Sequence, residues 1–161
     1  MSVIASRFTE ISVRARPYPS YLLEETDECL AVFAAGFLGW NDAVHFARAG
    51  LTAVCVDCDK DKLFEMSTIY PPGWAFRVAD AWEFAEEAAW MGRQWDVVTV
   101  DPYFENCAQR VWETLPLWLS LTRRIATITV HADTELDLPE GWKSSYFSRG
   151  HNVGWAVISR A

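Results

Sequence analysis

The chain has 161 residues, 51% of them hydrophobic, so it can build one sizeable core but not two ordinary domains. Its net charge of −8 opposes electrostatic capture of nucleic acid, because neutralising phosphates requires a basic surface. No apolar run approaches the roughly 18 residues of a membrane span. Charged residues from Arg7 onward interrupt the N-terminus where a signal peptide would lie. The four cysteines therefore predict a reducing, cytoplasmic setting rather than disulfides.

The first 27 residues carry the weakest pattern, and we predict an N-terminal appendage over residues 1–27 ahead of one domain over residues 28–161. Prolines at positions 17 and 19 make part of this segment stiff. Two interpretations remain open at this point. The segment packs against the domain as an arm, or it folds over a substrate site.

Residues 30–59 contain a complete strand–turn–helix–strand unit. An apolar strand over residues 30–35 ends at Gly36, and Gly39 follows where the chain must turn. Asn41 or Asp42 can cap the short helix that follows. A second strand over residues 51–56 then leads to Asp57.

The same alternation continues along the chain. The pattern predicts further strands over residues 74–79, 95–100, 124–130, 142–147 and 153–159. It predicts helices over residues 60–66, 81–91 and 105–121, the last one broken near Pro116. The expected class is α/β, with a mostly parallel seven-stranded sheet, helices on both faces and a C-terminal antiparallel hairpin.

Three aspartates stand at the ends of predicted strands: Asp57, Asp80 and Asp101. Such a residue often only caps the next helix. In a parallel sheet, however, these strand ends meet at the carboxyl edge, where α/β folds bind nucleotides. Three successive aspartates therefore favour a ligand site, and a nucleoside is the expected ligand.

Three local matches resemble the class I S-adenosylmethionine-dependent methyltransferases, which have a Rossmann-like sheet ending in a hairpin. FAAGFLG resembles their glycine turn, VCVDCD their acidic second strand end, and RVADAWEF their third strand end. The resemblance covers the chain from about Leu30 onward. It implies S-adenosylmethionine as cofactor, bound by Ala35, Gly36, Phe37, Gly39, Asp57, Cys58, Asp80, Ala81 and Trp82.

A fourth match, WDVVTVDPYF, resembles the strand and tetrapeptide of methyltransferases that act on amino nitrogens. It implies a catalytic set of Asp101, Pro102, Tyr103 and Phe104, with Tyr103 in place of the family's second proline. In this set Asp101 accepts a hydrogen bond from the target amine of a nucleobase or small molecule, and Phe104 stacks on the acceptor. Hydrogen bonds from the amine favour a pyramidal nitrogen whose lone pair can attack the methyl group in line.

Other functions remain open. The first strand lacks the family's usual acidic residue, for which Asn41 or Asp42 could substitute, and this departure also fits a binding protein that keeps the fold without turnover. A nicotinamide dinucleotide oxidoreductase needs G-x-G-x-x-G, and the turn has only two glycines. The Cys55–Cys58 spacing has no second cysteine pair, so we expect no metal. The implied partners are S-adenosylmethionine and an unidentified methyl acceptor; nucleic acid is not favoured.

Overall fold

The computed structural model describes residues 15–35, 42–102 and 107–161. Its strands are β1 (Cys29–Val32), β2 (Ala53–Asp57), β3 (Ala75–Val78), β4 (Trp95–Val100), β5 (Thr122–His131), β6 (Trp142–Gly150) and β7 (Val153–Arg160). Its helices are α1 (Ala43–Arg48), α2 (Lys60–Ile69), α3 (Ala81–Trp90), α4 (Ala108–Glu113) and α5 (Leu115–Ser120). Within these ranges no helix is long and apolar enough to cross a bilayer.

The strands form a seven-stranded sheet in the order β3-β2-β1-β4-β5-β7-β6. Strands β1 to β5 pair in parallel, and β7 runs antiparallel between β5 and β6. The predicted fold class is therefore confirmed. Strands β2 and β3 lie on one side of β1, and β4 and β5 lie on the other. The order of the strands therefore reverses between β1 and β4, which makes this boundary the switch point of the sheet.

Helices cover both faces of the sheet, as predicted. Successive residues of β1 point to opposite faces, so Leu30 joins one core cluster and Ala31 joins the other. Helices α3, α4 and α5 pack on the Leu30 face, with Trp118 fully buried there. Helices α1 and α2 cover the Ala31 face, where Phe46 is fully buried.

The predicted element bounds differ most at β1. This strand ends at Val32 rather than at residue 35, because Phe33 adopts a positive φ of 61° and the chain turns over the next two residues. The apolar run continues through the turn, so hydrophobicity alone overestimates the length of the strand. Strand β4 has the predicted bounds, and the predicted break near Pro116 is confirmed, since α4 and α5 meet at Thr114.

The described part of the N-terminal segment packs into the core. The hydroxyl of Tyr18 lies 2.9 Å from the hydroxyls of both Thr99 and Thr127. The indole of Trp155 donates to the Pro17 carbonyl at 3.1 Å, and the His45 ring is stacked on Tyr18. Residues 15–27 thus contribute buried side chains to the Ala31 face. Residues 1–14 lie outside the described ranges.

The C-terminal hairpin turns through two residues, His151 and Asn152, whose φ values are 55° and 60°. Positive φ at both positions is typical of the type I′ turn, which matches the twist of paired strands. The predicted five-residue loop is therefore shorter in the structure. A register shift between Ser148 and Gly150 leaves Arg149 in a β-bulge.

Candidate functional site

The carboxyl edge of the sheet brings the three predicted aspartates together. Asp57 ends β2, Asp80 follows β3 and Asp101 follows β4, and these strands run parallel. The edge spans the switch point between β1 and β4, where open α/β sheets place their ligands.

Asp57 is buried and connects β2 to the turn after β1. Its Oδ2 accepts a hydrogen bond from the Ala35 backbone N–H at 3.0 Å, and its Oδ1 accepts from the Asp59 N–H at 2.9 Å. Asp57 is only 3% exposed. Each carboxylate oxygen has two acceptor positions, so one position on each remains for a ligand hydroxyl.

Asp80 acts as the N-cap of α3. Its Oδ1 accepts from the backbone N–H groups of Trp82 and Glu83, both at 3.0 Å. Trp82 is 5% exposed, and its ring packs edge-on to the rings of Phe33 and Trp118. The structure thus gives Asp80 a capping role, while its contact with a cofactor, and those of Ala81 and Trp82, stay predictions.

Several predicted site residues lie outside the described ranges. These are Gly36, Phe37, Gly39, Asn41, Tyr103 and Phe104. Cys58 is described and exposed, and partial desolvation together with the adjacent Asp57 raises the pKa of its thiol. Across the described ranges no three His, Cys, Asp or Glu side chains come together as metal ligands.

Asp101 has partners that the sequence did not predict. Its Oδ1 accepts from the Thr129 hydroxyl at 2.6 Å and from Arg149 Nη1 at 3.3 Å. The Arg149 side chain is only 3% exposed, and its guanidinium lies 4.9 Å from the ring centroid of Trp155. Asp101 is therefore held by residues of β5 and β6.

Asp42, at the start of α1, completes this cluster through a side-chain hydrogen bond to Asp101. Burial, followed by the charge of Asp101, raises the pKa of Asp42 well above its usual range, and Arg149 and Arg16 partly oppose the shift. Asp42 therefore binds its proton more tightly than a free aspartate. Asp42 occupies the N-cap position and makes no side-chain capping bond; the other predicted cap, Asn41, lies outside the described residues.

Comparison with known proteins identifies the fold. No family model and no curated protein matches the chain. Among solved structures, yhhF of Escherichia coli, a proposed methyltransferase, superposes over 99% of this chain and 88% of its own, with a TM-score of 0.66 and 17% identity. A proposed methylase from Haemophilus influenzae covers 98% of both chains, with a TM-score of 0.61 and 15% identity. The chain has the class I methyltransferase fold.

One further similar structure contains a ligand. It is a proposed methyltransferase complexed with SAH, 11% identical to this chain, with a TM-score of 0.60. The alignment covers 83% of this chain and 45% of that protein, so this chain spans about half of its length.

Within this class I methyltransferase fold, the sequence analysis missed Thr129 and Arg149. Thr129 had one available signal, since it is a hydroxyl residue inside the apolar run of β5 and is fully buried. Arg149 offered no such signal in the sequence, because it lies in a stretch whose composition is typical of a hairpin loop. In the structure its guanidinium lies over Trp155, on the same face of the sheet as Phe147 two residues earlier.

A cleft of about 690 Å³ lies beside the carboxyl end of β5, where His131 lines it. The Trp112 indole, which lines the cleft, donates to the Thr129 carbonyl at 3.0 Å. His131, the last residue of β5, also lines it and packs edge-on to Trp112. The rest of the lining is mainly polar and acidic: Gln109, Glu113, Pro116, Asp133, Thr134, Glu135 and Asp137.

Proposed function

We propose that the chain is an S-adenosylmethionine-dependent methyltransferase. The observation that carries the proposal is the buried carboxylate of Asp57, which ends β2 next to β1 and is bonded to the turn after β1. That position suits a carboxylate that accepts hydrogen bonds from ribose hydroxyls. The SAH complex of a protein with the same fold also supports this cofactor.

The proposed acceptor atom is an amino nitrogen of a nucleobase or a small molecule. Asp101 supports this, because it stands at the end of β4 beside the switch point, and the buried Pro102 follows it. A carboxylate there can accept from the acceptor N–H and orient the nitrogen lone pair toward a methyl group. The acidic surface favours a small or already exposed acceptor over an intact duplex.

We also propose a reducing, cytoplasmic setting. All four cysteines are free in the structure, and Cys29 and Cys55 are buried within strands. Free thiols persist where the compartment keeps them reduced.

Calorimetry with S-adenosylhomocysteine tests the cofactor. We expect Asp57→Asn to weaken binding by at least tenfold, because losing a charged acceptor in a buried site costs roughly 1.5–3 kcal/mol. Asp59→Asn is the matched control, since Asp59 caps α2 nearby and asparagine also caps helices. The far-UV circular dichroism of both variants should match the wild type. Equal affinity in Asp57→Asn and wild type would remove Asp57 from the site, and tighter binding of NAD than of S-adenosylhomocysteine would favour an oxidoreductase.

A second candidate is a binding protein that retains the fold without turnover. The specific observation in its favour is that Asp101 already has three hydrogen-bond partners in the structure: Thr129, Arg149 and Asp42. A tritium-methyl transfer assay against RNA, DNA, protein and small-molecule fractions separates the two candidates. Cofactor binding without labelling of any fraction would favour the binding protein.

A further inference from the structure

The buried side of Asp101 is occupied by two donors that meet on one oxygen. Thr129 and Arg149 both donate to Oδ1, and Arg149 Nη1 also lies 3.3 Å from the Thr129 hydroxyl oxygen. The three groups therefore form a closed triangle. Oδ1 is fixed from inside the sheet, and this fixes the plane of the carboxylate.

Arg149 is unusually placed for a cation. Its side chain is 3% exposed, its guanidinium rests on the Trp155 ring, and Nη2 is buried without a hydrogen-bond partner among the described residues. A guanidinium without water needs an anion beside it. Asp101 is the carboxylate that pairs with it, with Oδ1 at 3.3 Å from Nη1.

The charges around this pair come from every element packed against it. Asp42 belongs to the start of α1, Asp101 follows β4, Arg149 lies on β6, and Arg16 approaches from the N-terminal segment. Arg149 forms an ion pair with Asp101, and burial together with the charge of Asp101 raises the pKa of Asp42. A carboxylate has about four acceptor positions, and three are taken, which leaves about one for a ligand.

We propose that Arg149 is a positioning residue for methyl transfer, which together with Thr129 fixes the Asp101 carboxylate so that its one remaining acceptor position faces the acceptor amine. This inference rests on the proposed function. In that reaction the acceptor nitrogen bonds to the methyl carbon of the sulfonium, the methyl–sulfur electron pair stays on sulfur, and one N–H proton leaves to water. Arg149 takes no part in these bond changes.

Three variants test the proposal, and two more serve as controls. Arg149→Met removes the guanidinium, Arg149→Lys keeps a charge without the planar fork, and Thr129→Val removes the other donor with little change in shape. Thr127→Val is the matched control for Thr129, because Thr127 lies on the same strand, is equally buried and bonds Tyr18 and Thr99 instead of Asp101. Arg124→Met controls for the loss of a partly buried arginine that pairs with Asp27 away from the site.

Each variant is measured for S-adenosylhomocysteine affinity and for kcat and KM of tritium-methyl transfer to the fraction that the wild type labels. We expect kcat to fall by about a hundredfold in Arg149→Met and about tenfold in Thr129→Val, because a misplaced orienting group costs rate. Arg149→Lys should recover part of the loss. Cofactor affinity should change by less than about threefold, and both controls should keep kcat within about twofold.

Wild-type kcat in Arg149→Met and Thr129→Val would overturn the positioning role and leave the proposed function standing. If Arg149→Met does not fold, Thr129→Val and Arg149→Lys decide by the same criterion. An equal fall in kcat for Thr127→Val and Thr129→Val would also overturn it, because the loss would then follow from core packing. If the wild type binds the cofactor and labels no fraction, the proposed function and this inference both fail.

Discussion

Two arginine–aspartate pairs lie at opposite ends of β5, and they differ in exposure. At the amino end, Arg124 pairs with Asp27 and donates to the Leu22 carbonyl, and its side chain is 30% exposed. At the carboxyl end, Arg149 pairs with Asp101 beside Thr129, and its side chain is 3% exposed.

The partners of each pair indicate what it does. Asp27 also accepts from the Glu24 N–H, so the Arg124 pair clamps the segment before β1 onto the sheet. Asp101 instead bonds a hydroxyl and a second carboxyl at the switch point. The same two residue types therefore secure a chain segment at one edge and, as we propose, arrange a carboxylate for a ligand at the other.

Breaking the two pairs should give the largest difference. Arg149→Met should lower the free energy of unfolding by about 1–3 kcal/mol, because the Asp101 side chain left behind is 20% exposed and can take water in place of the cation. Arg124→Met should cost about 3–5 kcal/mol, because it leaves the Asp27 carboxylate, whose side chain is only 3% exposed, without its cation. Urea denaturation followed by circular dichroism measures both values. Equal losses would show that exposure does not separate the pairs.

The second difference between the two pairs is how the free energy of unfolding depends on pH. Because the pKa of Asp42 is raised by folding, the folded chain keeps a proton that the unfolded chain releases above about pH 4. The free energy of unfolding should then fall with rising pH by up to about 1.4 kcal/mol per unit, until pH passes the folded pKa of Asp42.

Asp42→Asn should remove this part of the slope, since its amide can still donate to Asp101 and does not titrate. At pH 7 the variant should be at least as stable as the wild type. Denaturation midpoints between pH 4 and pH 8 check the prediction, with Asp59→Asn as a control for an amide at an exposed helix cap. Parallel pH profiles for Asp42→Asn and wild type would contradict it.

The smallest difference should separate the two threonines. Thr127→Val loses a hydroxyl–hydroxyl contact and should cost about 1 kcal/mol, whereas Thr129→Val loses a bond to a charged group and should cost about 1.5–3 kcal/mol. Thermal unfolding of both variants at neutral pH provides the comparison. A greater loss in Thr127→Val would mean that the Tyr18 hydroxyl network matters more to folding than the Asp101 cluster.

Most of the fold was predictable because its signals are local. Strand β4 is an uninterrupted buried run, and α3 begins at a capping aspartate and is followed by Gly92 with a φ of 69°. The end of β1 was not predictable, because Phe33 is apolar and aromatic, yet it adopts a left-handed conformation that favours glycine.

The site was predictable only in its positions along the sheet edge. Alternation of strands and helices is enough to bring Asp57, Asp80 and Asp101 to one edge. Their partners depend on side-chain direction, which the sequence pattern does not encode for Asp42 or Arg149. Aspartate often caps helices, but in the structure the Asp42 side chain bonds Asp101 instead.

The β-bulge at Arg149 makes the cluster sensitive to the length of the last hairpin. Side chains on a strand alternate between faces, so one residue removed between Phe147 and Gly150 would exchange the inward and outward positions that follow. Gly154 limits compensation from the opposite strand, because a Cβ there would lie 2.3 Å from the Phe147 carbonyl oxygen. We therefore expect substitutions at the hairpin tip to leave Asp101 unaffected. We expect a single-residue deletion before the tip to separate Arg149 from Asp101.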